Sequence, residues 1–236
     1  MAISATLSLL PRADGSATFK CGLTSAIASV SGPMEVRPRD ELPDKTFIEV
    51  IVRPAVGVGG THERALESLL LSALSPLIIR THHPRTLLQI NVQIVEAADH
   101  TDATALLPVA INAASLALVD AGVPLRSLLV ATTVGLDEQG GVMRGEGEGG
   151  RAQVGKEGSR HVLGFARGEC VFVESLGTFD EQGFANALLW GREECAMDGG
   201  GAEGMGVDGK CKAETVGAVV RRAVERKVAA DMRWKE

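Results

Sequence analysis

Between Thr86 and Glu96 aliphatic residues recur at every second position: Leu88, Ile90, Val92 and Ile94 alternate with Leu87, Gln89, Asn91 and Gln93. A period of two puts one set on a buried face of a strand and the other on a more polar face. A short acidic turn follows, Ala98-Asp99-His100-Thr101-Asp102-Ala103-Thr104. Beyond it, the run from Leu106 to Val119 is apolar on nearly every side. That run predicts a central helix ending near Val119. The rest of the chain reads as elements arranged around this strand, turn and helix.

Upstream, residues 14 to 53 read as a β-meander. Ala17 to Cys21 and Ser25 to Ser31 are short alternating segments, the second stopping at the turn signal Gly32-Pro33, and Thr46 to Arg53 alternates again. Gly57, Gly59 and Gly60 break that strand. Thr61 is a suitable N-cap for a helix from His62 to about Ser75, with Glu63 in its first turn. Ala65, Leu66, Leu69, Leu70, Ala73 and Leu74 give this helix one apolar face. Downstream, Ser127 to Leu136 is β-rich, and His161 to Ala166 with Cys170 to Glu174 forms a hairpin around Arg167-Gly168. Phe179 to Glu194 is a helix with Phe184, Leu188, Leu189 and Trp190 facing inward. Ala213 to Arg233 is an amphipathic basic helix, with Val216, Val219, Val220, Ala223 and Val228 opposite Arg221, Arg222, Arg226 and Lys227. Gly140 to Gly158 and Met197 to Lys210 hold too little apolar material for a core and read as mobile Gly-rich insertions. Helices that do not strictly alternate with strands point to a two-layer α+β domain.

Length and charge narrow the options. At 236 residues one domain spanning the whole chain is expected. Aromatic residues make up 3% and Tyr is missing altogether, which argues against gripping single-stranded bases by stacking. A net charge of −6 excludes a bulk basic surface, so any nucleic acid must be met by a local cationic strip or by partner chains. Cys21, Cys170, Cys195 and Cys211 form no CxxC pair. With no signal pattern at the N-terminus they are expected to be reduced thiols of an intracellular protein, Cys21 and Cys170 in the core. At most an adventitious disulfide is conceivable between Cys195 and Cys211. No apolar run is expected to reach the length of a membrane span.

Candidate chemistry is sparse. A strand feeding a helix N-terminus is a common anion seat, but Asp99 and Asp102 repel phosphate, no Gly lets the backbone close in, and no Arg or Lys follows. His100 reads as a solvated polar residue. Arg80-Thr81-His82-His83-Pro84-Arg85 is either a cationic loop facing phosphates or a solvated connector. The last helix reads as packing with a solvated basic face, a nucleic-acid role being the minority option. The residues alone give a soluble domain with no nucleotide loop, zinc site or nucleophile triad, so no cofactor and no metal are expected.

Several stretches, weak singly and specific in their order and spacing, resemble the RNase PH family, and within it the RNase PH-like ring subunits of the eukaryotic RNA exosome. They are Arg12-Ala13-Asp14-Gly15-Ser16, Ser29-Val30-Ser31-Gly32-Pro33-Met34-Glu35, Glu49-Val50-Ile51-Val52-Arg53-Pro54, Pro76-Leu77-Ile78-Ile79-Arg80 with Pro84-Arg85, Ile111-Asn112-Ala113-Ala114, and Ala117-Leu118-Val119-Asp120-Ala121-Gly122. The likeness runs from about residue 10 to 136 and continues more weakly to the C-terminus. It implies an α+β RNase PH fold of two βαβ-like halves, ribosomal protein S5 domain 2-like. It also implies a hetero-hexameric ring of RNase PH-like subunits, cap subunits with RNA-binding domains, a hydrolytic exoribonuclease subunit, RNA threading the central pore, and a nuclear, nucleolar and cytoplasmic location.

Active members of that family are phosphorolytic 3′→5′ exoribonucleases, whose chemistry needs cations to gather two anions and a carboxylate near the reacting groups. Where they carry a Gly-Gly-Thr-Arg cradle, this sequence reads Asp99-His100-Thr101-Asp102-Ala103. An Arg expected on the preceding helix is Leu71. In place of an Asp-rich motif, Val142 to Arg160 offers Glu146, Glu148 and Glu157. The resemblance therefore implies a pseudo-enzyme that guides RNA, with Arg64, Arg80 and Arg85 as candidate RNA-binding residues, each of which could instead form an ordinary salt bridge. Two alternatives stand beside it: an active phosphorolytic exoribonuclease using cations from a partner subunit, and an α+β binding domain related at the level of fold alone.

Overall fold

The structure, a computed structural model, describes residues 3–97, 102–137, 141–143, 158–196 and 215–233. Two antiparallel-rich sheets pack around the central helix. The first has five strands: β1 (Ile3–Leu7), β2 (Gly15–Cys21), β3 (Thr24–Glu35), β4 (Phe47–Arg53) and β5 (Thr86–Glu96), in the order β1-β2-β3-β5-β4. The second holds β6 (Leu129–Leu136), β7 (Val142–Met143), β8 (Ser159–Ala166) and β9 (Glu169–Leu176), in the order β7-β6-β8-β9. The helices are α1 (Thr61–Leu74), α2 (Ala103–Asp120), α3 (Glu181–Glu194) and α4 (Val216–Asp231).

The alternation in β5 holds as read. Leu88, Ile90, Val92 and Ile94 are buried, and Gln89, Asn91 and Gln93 lie on the more open face. The meander does not hold. β5 lies between β3 and β4, and β4 runs parallel to β5. The helix α1 carries the chain back over the sheet, which is what a parallel neighbour requires. Strand β3 also continues past Gly32-Pro33 to Glu35, with a register shift between Ser31 and Met34. There Gly32 N–H donates to Asp14 Oδ2 at 2.8 Å instead of to the ladder, and Pro33 has no N–H to lose, so the bulge tolerates it. The half-buried β1, which pairs with β2, was not foreseen. Gly60, not Thr61, caps α1, its N–H donating to Glu63 Oε2 at 2.6 Å, and Ala65 faces solvent.

Helix α2 is buried along most of its length and packs against both sheets. Contrary to expectation, it is long and apolar enough to cross a membrane, with 18 residues and a mean hydropathy of 1.6. Its interior position, 78% buried, accounts for that composition. Two features join it to β6. Asn112 Nδ2 donates to the Ala131 carbonyl and its Oδ1 accepts the Ala131 N–H, both at 2.8 Å. This amide serves the unpaired edge of β6 as a neighbouring strand would, and its burial makes both bonds costly to break. At its far end Gly15 of β2 lies so close that a Cβ would fall 2.4 Å from the Ala117 carbonyl oxygen, so glycine is required there by contact.

Three further expectations are corrected. In α3 the buried positions are Gly183, Ala187 and Gly191, while Leu189 is exposed and Phe184, Leu188 and Trp190 are half-buried. The helix sits so close to β8 that a Cβ on Gly191 would lie 2.8 Å from Leu163 Cδ1, and only small residues permit that approach. Cys170 is exposed because β9 is the outermost strand of its sheet, where Phe172 alone is fully buried. Val228 is exposed because the buried face of α4 ends at Ala223. Cys21 is half-buried and Cys195 buried. Cys211, the insertion at Met197–Lys210 and most of that at Gly140–Gly158 lie outside the described residues, although β7 occupies part of the latter.

Candidate functional site

The seat at the start of α2 is filled from within. Asp102 is the N-cap, and its Oδ1 accepts from the Thr104 N–H at 3.0 Å and from the Thr104 hydroxyl at 2.6 Å. Its other oxygen, Oδ2, accepts from Arg160 Nη1, which reaches across from β8. The carboxylate thus takes the position that an external anion would occupy at a helix N-terminus, and the nearby guanidinium is committed to it. No Arg or Lys follows this turn in the sequence, which leaves it without a cation close by along the chain. The structure corrects that: Arg160 supplies one from 58 residues downstream. The signal available was an Arg in a strand whose other positions are buried, but nothing local named its partner.

A second bond fixes the same turn. Pro108 lies inside α2 and has no N–H, so the carbonyl four residues earlier, Thr104, loses its helical donor. The Thr133 hydroxyl of β6 donates to that carbonyl at 2.8 Å. Asp102 and Thr104 together therefore hold the first turn of α2 to β8 and β6.

The three candidate arginines separate. Because β4 and β5 are parallel, the chain leaves both at one end of the sheet, where α1 and α2 begin. Arg64, exposed in the first turn of α1 and making no ion pair among the described residues, is at that end, along with Asp102. Arg80 and Arg85 precede β5 and lie at the other end, the length of an 11-residue strand away, or about 30–35 Å. Arg80 is half-buried, and its Nε donates to the Thr46 carbonyl at 3.0 Å. Arg85 is exposed and stands 3.5 Å from Glu41. Leu71 is on the exposed side of α1. Asp99, His100, Thr101, Glu146, Glu148 and Glu157 lie outside the described residues.

Away from this turn, His161 of β8 is fully buried, its Nδ1 2.8 Å from Ser175 Oγ and its Nε2 3.0 Å from Ser159 Oγ, with Phe179 and Phe184 edge-on to the ring. Burial pushes its pKa below the ordinary value of 6.5. At the C-terminus of α2, Asp120 accepts from Ser16 N–H at 2.9 Å and from the Ser8 hydroxyl at 2.7 Å, with Lys227 Nζ of α4 at 3.6 Å. These partners offset the unfavourable helix-end position of a carboxylate.

Residues 2–124 match the family model described as the 3′ exoribonuclease family, domain 1, of RNase PH. The chain belongs to the RNase PH family. It is 34% identical to exosome complex component RRP46 of Saccharomyces cerevisiae over 202 residues, covering 83% of this chain and 91% of that protein. It is 40% identical to exosome complex component rrp46 of Schizosaccharomyces pombe over 120 residues, about half of each chain. Among solved structures, rice (Oryza sativa) Rrp46 superposes with a TM-score of 0.70 at 31% identity, covering 81% of this chain and 87% of that one. An Archaeoglobus fulgidus exosome chain superposes at 0.62 with 18% identity, covering 81% and 84%, a likeness of fold. As an RNase PH family member, the chain keeps the fold while the turn at the head of α2 carries an internal ion pair.

Proposed function

We propose that the chain is a non-catalytic subunit of the RNA exosome ring, pairing with other RNase PH-like subunits and helping RNA through the pore towards 3′-to-5′ processing and degradation, including rRNA maturation. Cap subunits with RNA-binding domains and a hydrolytic exoribonuclease subunit would complete the assembly, in the nucleus, the nucleolus and the cytoplasm. The observation that carries the pseudo-enzyme reading is the filled seat: Asp102 occupies the N-terminus of α2 and Arg160 is bound to it. Phosphorolysis must hold inorganic phosphate beside a phosphodiester, and two anions a few ångströms apart repel strongly in a site shielded from water unless cations neutralise them. The names of the relatives, exosome complex components, support membership of that complex.

Arg64 is the arginine best suited to meet passing phosphates, since it is exposed and makes no ion pair among the described residues. Arg80 and Arg85 are already engaged by Thr46 and Glu41 and are weaker candidates for RNA contact. Arg64→Glu should weaken RNA passage through the reconstituted ring, measured as protection of a 3′-tailed RNA, while leaving ring assembly intact. Unchanged protection would remove Arg64 from the RNA path.

A second reading is an active phosphorolytic enzyme that borrows cations from a neighbour. It is favoured by relatives from Oryza sativa and Arabidopsis thaliana that carry the name exosome complex exonuclease RRP46 homolog, at 39% and 36% identity. Phosphate-dependent release of nucleoside diphosphates from RNA separates the two. None is expected from the chain alone or with its ring partners, and release abolished by Asp102→Ala would establish the active reading.

A further inference from the structure

Of the histidines among the described residues, only His161 is fully buried. Its side chain lies on the α3 side of the second sheet, the side it shares with Leu163, which Gly191 of α3 approaches. Both ring nitrogens are engaged by hydroxyls, Nε2 at 3.0 Å from Ser159 Oγ and Nδ1 at 2.8 Å from Ser175 Oγ. The remaining contacts are aromatic. The Phe179 ring centroid sits 4.7 Å from that of the imidazole, and the Phe184 centroid 5.4 Å. Phe179 is itself 49% exposed, so a ring that is half in solvent shields one side of a buried imidazole from water.

That cover belongs to a weakly anchored segment. Phe179 precedes Asp180, the N-cap of α3, whose carboxylate makes no cap hydrogen bond, and Gly183 stands in the first turn, where glycine disfavours helix. Residues 177–182 are all exposed. No charged side chain among the described residues faces the ring. β6 presents Val134 opposite it, β9 Ser175, and β8 Ser159 and Leu163 on the same side, while the buried positions of α3 are Gly183, Ala187 and Gly191. The charged neighbours are turned away: Arg160 bonds Asp102 and Glu174 pairs with Val162, both on the other side of the sheet, and Asp180 and Glu181 are exposed. Burial accordingly keeps the imidazole neutral below its ordinary value of 6.5.

We propose that the head of α3 is a pH-sensitive latch: protonating His161 releases Phe179 and the first turn of the helix while α2 and both sheets stay folded. In the closed state the neutral imidazole donates its N–H to one serine and accepts from the other. A proton taken from solvent makes both nitrogens donors, and the resulting charge has no partner until Phe179 swings out and water reaches it. The latch is closed above pH 6.5 and opens as the pH falls below it, because the open form takes up the proton first. Opening brings Phe179, Phe184 and the imidazole to the surface together.

The test is amide hydrogen exchange of the full chain between pH 7.5 and 5, corrected for the intrinsic effect of pH, beside an NMR titration of the histidine imidazoles. The amides of Phe184 to Asn186 should exchange at least about tenfold faster than those of α2. Their protection should fall about tenfold for each pH unit between 6.5 and the lower point at which His161 titrates in the closed form, the slope of one proton. His161→Gln should remove that slope. Phe179→Ser, a change at an exposed position, should move the His161 titration up towards about 6.5 and flatten the slope with the histidine still in place. Exchange of these amides no faster than in α2 would make the opening global and overturn the proposal. So would a His161 titration at or above 6.5 in the unaltered chain, or a slope that survives either substitution.

Discussion

The ion pair at the head of α2 has a measurable worth. Asp102→Ala removes an N-cap, worth about 1 kcal/mol, and a charge-assisted hydrogen bond, worth about 1.5–3 kcal/mol. It also leaves the Arg160 guanidinium unpaired with its side chain only 24% exposed. Roughly 3 kcal/mol of destabilisation is expected, or about 6–12 °C in Tm for a chain of this size. Arg160→Met leaves the carboxylate at a helix N-terminus, where the dipole partly compensates, so about 2 kcal/mol is expected. The two variants share one interaction. Together they should cost about 3.5 kcal/mol, a coupling of about 1.5 kcal/mol. Urea denaturation at pH 7.5, with m unchanged among the four proteins, gives each value. Additive single effects, with coupling below about 0.5 kcal/mol, would show that Arg160 does not neutralise Asp102 and would remove the physical basis for a self-filled site.

Thr133→Val should cost about 1–2 kcal/mol by orphaning the Thr104 carbonyl, and much less in a Pro108→Ala background, where a restored N–H can serve the same oxygen; equal cost in both backgrounds would contradict the assignment. His161, whose pKa burial holds below 6.5, should add a pH dependence to stability: full above pH 6.5, and lost as the pH falls below it, because the unfolded chain takes up the proton first. Urea midpoints between pH 7.5 and 5 should show that slope, and His161→Gln should flatten it.

What the sequence shows and what it hides divide along local and non-local lines. The period in β5, the apolar run of α2 and the β8–β9 hairpin are set by neighbours in the chain, and all three were legible. The place of β4 beside β5 was not, because strand order depends on where α1 returns the chain, and TFIEVIVR reads the same in a meander or a crossover. The inner face of α3 runs against the expectation that aliphatic residues mark burial: its buried positions are Gly183, Ala187 and Gly191, and at Gly191 the close approach to Leu163 leaves no room for a larger side chain. At the site, Asp102 was visible as a charge hostile to phosphate. Its partner Arg160 was not, nor was the link from Pro108 to Thr133, since each joins residues 25 or more positions apart on different elements.

If the chain is non-catalytic, as proposed, these non-local contacts bear on why its fold can persist without phosphorolytic chemistry. A site that binds phosphate at a helix N-terminus has to keep backbone N–H groups and a cation unsatisfied until the ligand arrives, and such sites lower stability. Here the equivalent groups are bonded to one another: Asp102 to the Thr104 amide and to Arg160, and the Thr104 carbonyl to Thr133. The bonds to Arg160 and Thr133 also join α2 to the second sheet, as Asn112 does further along. The exchange converts a costly anion seat into contacts between the two halves of the fold. Reinstalling a cradle would then require more than replacing Asp102 with a small or basic residue: the contact to β8 would be lost in the same step, and Arg160 would be free to bind phosphate only at the expense of the stability its pairing supplies.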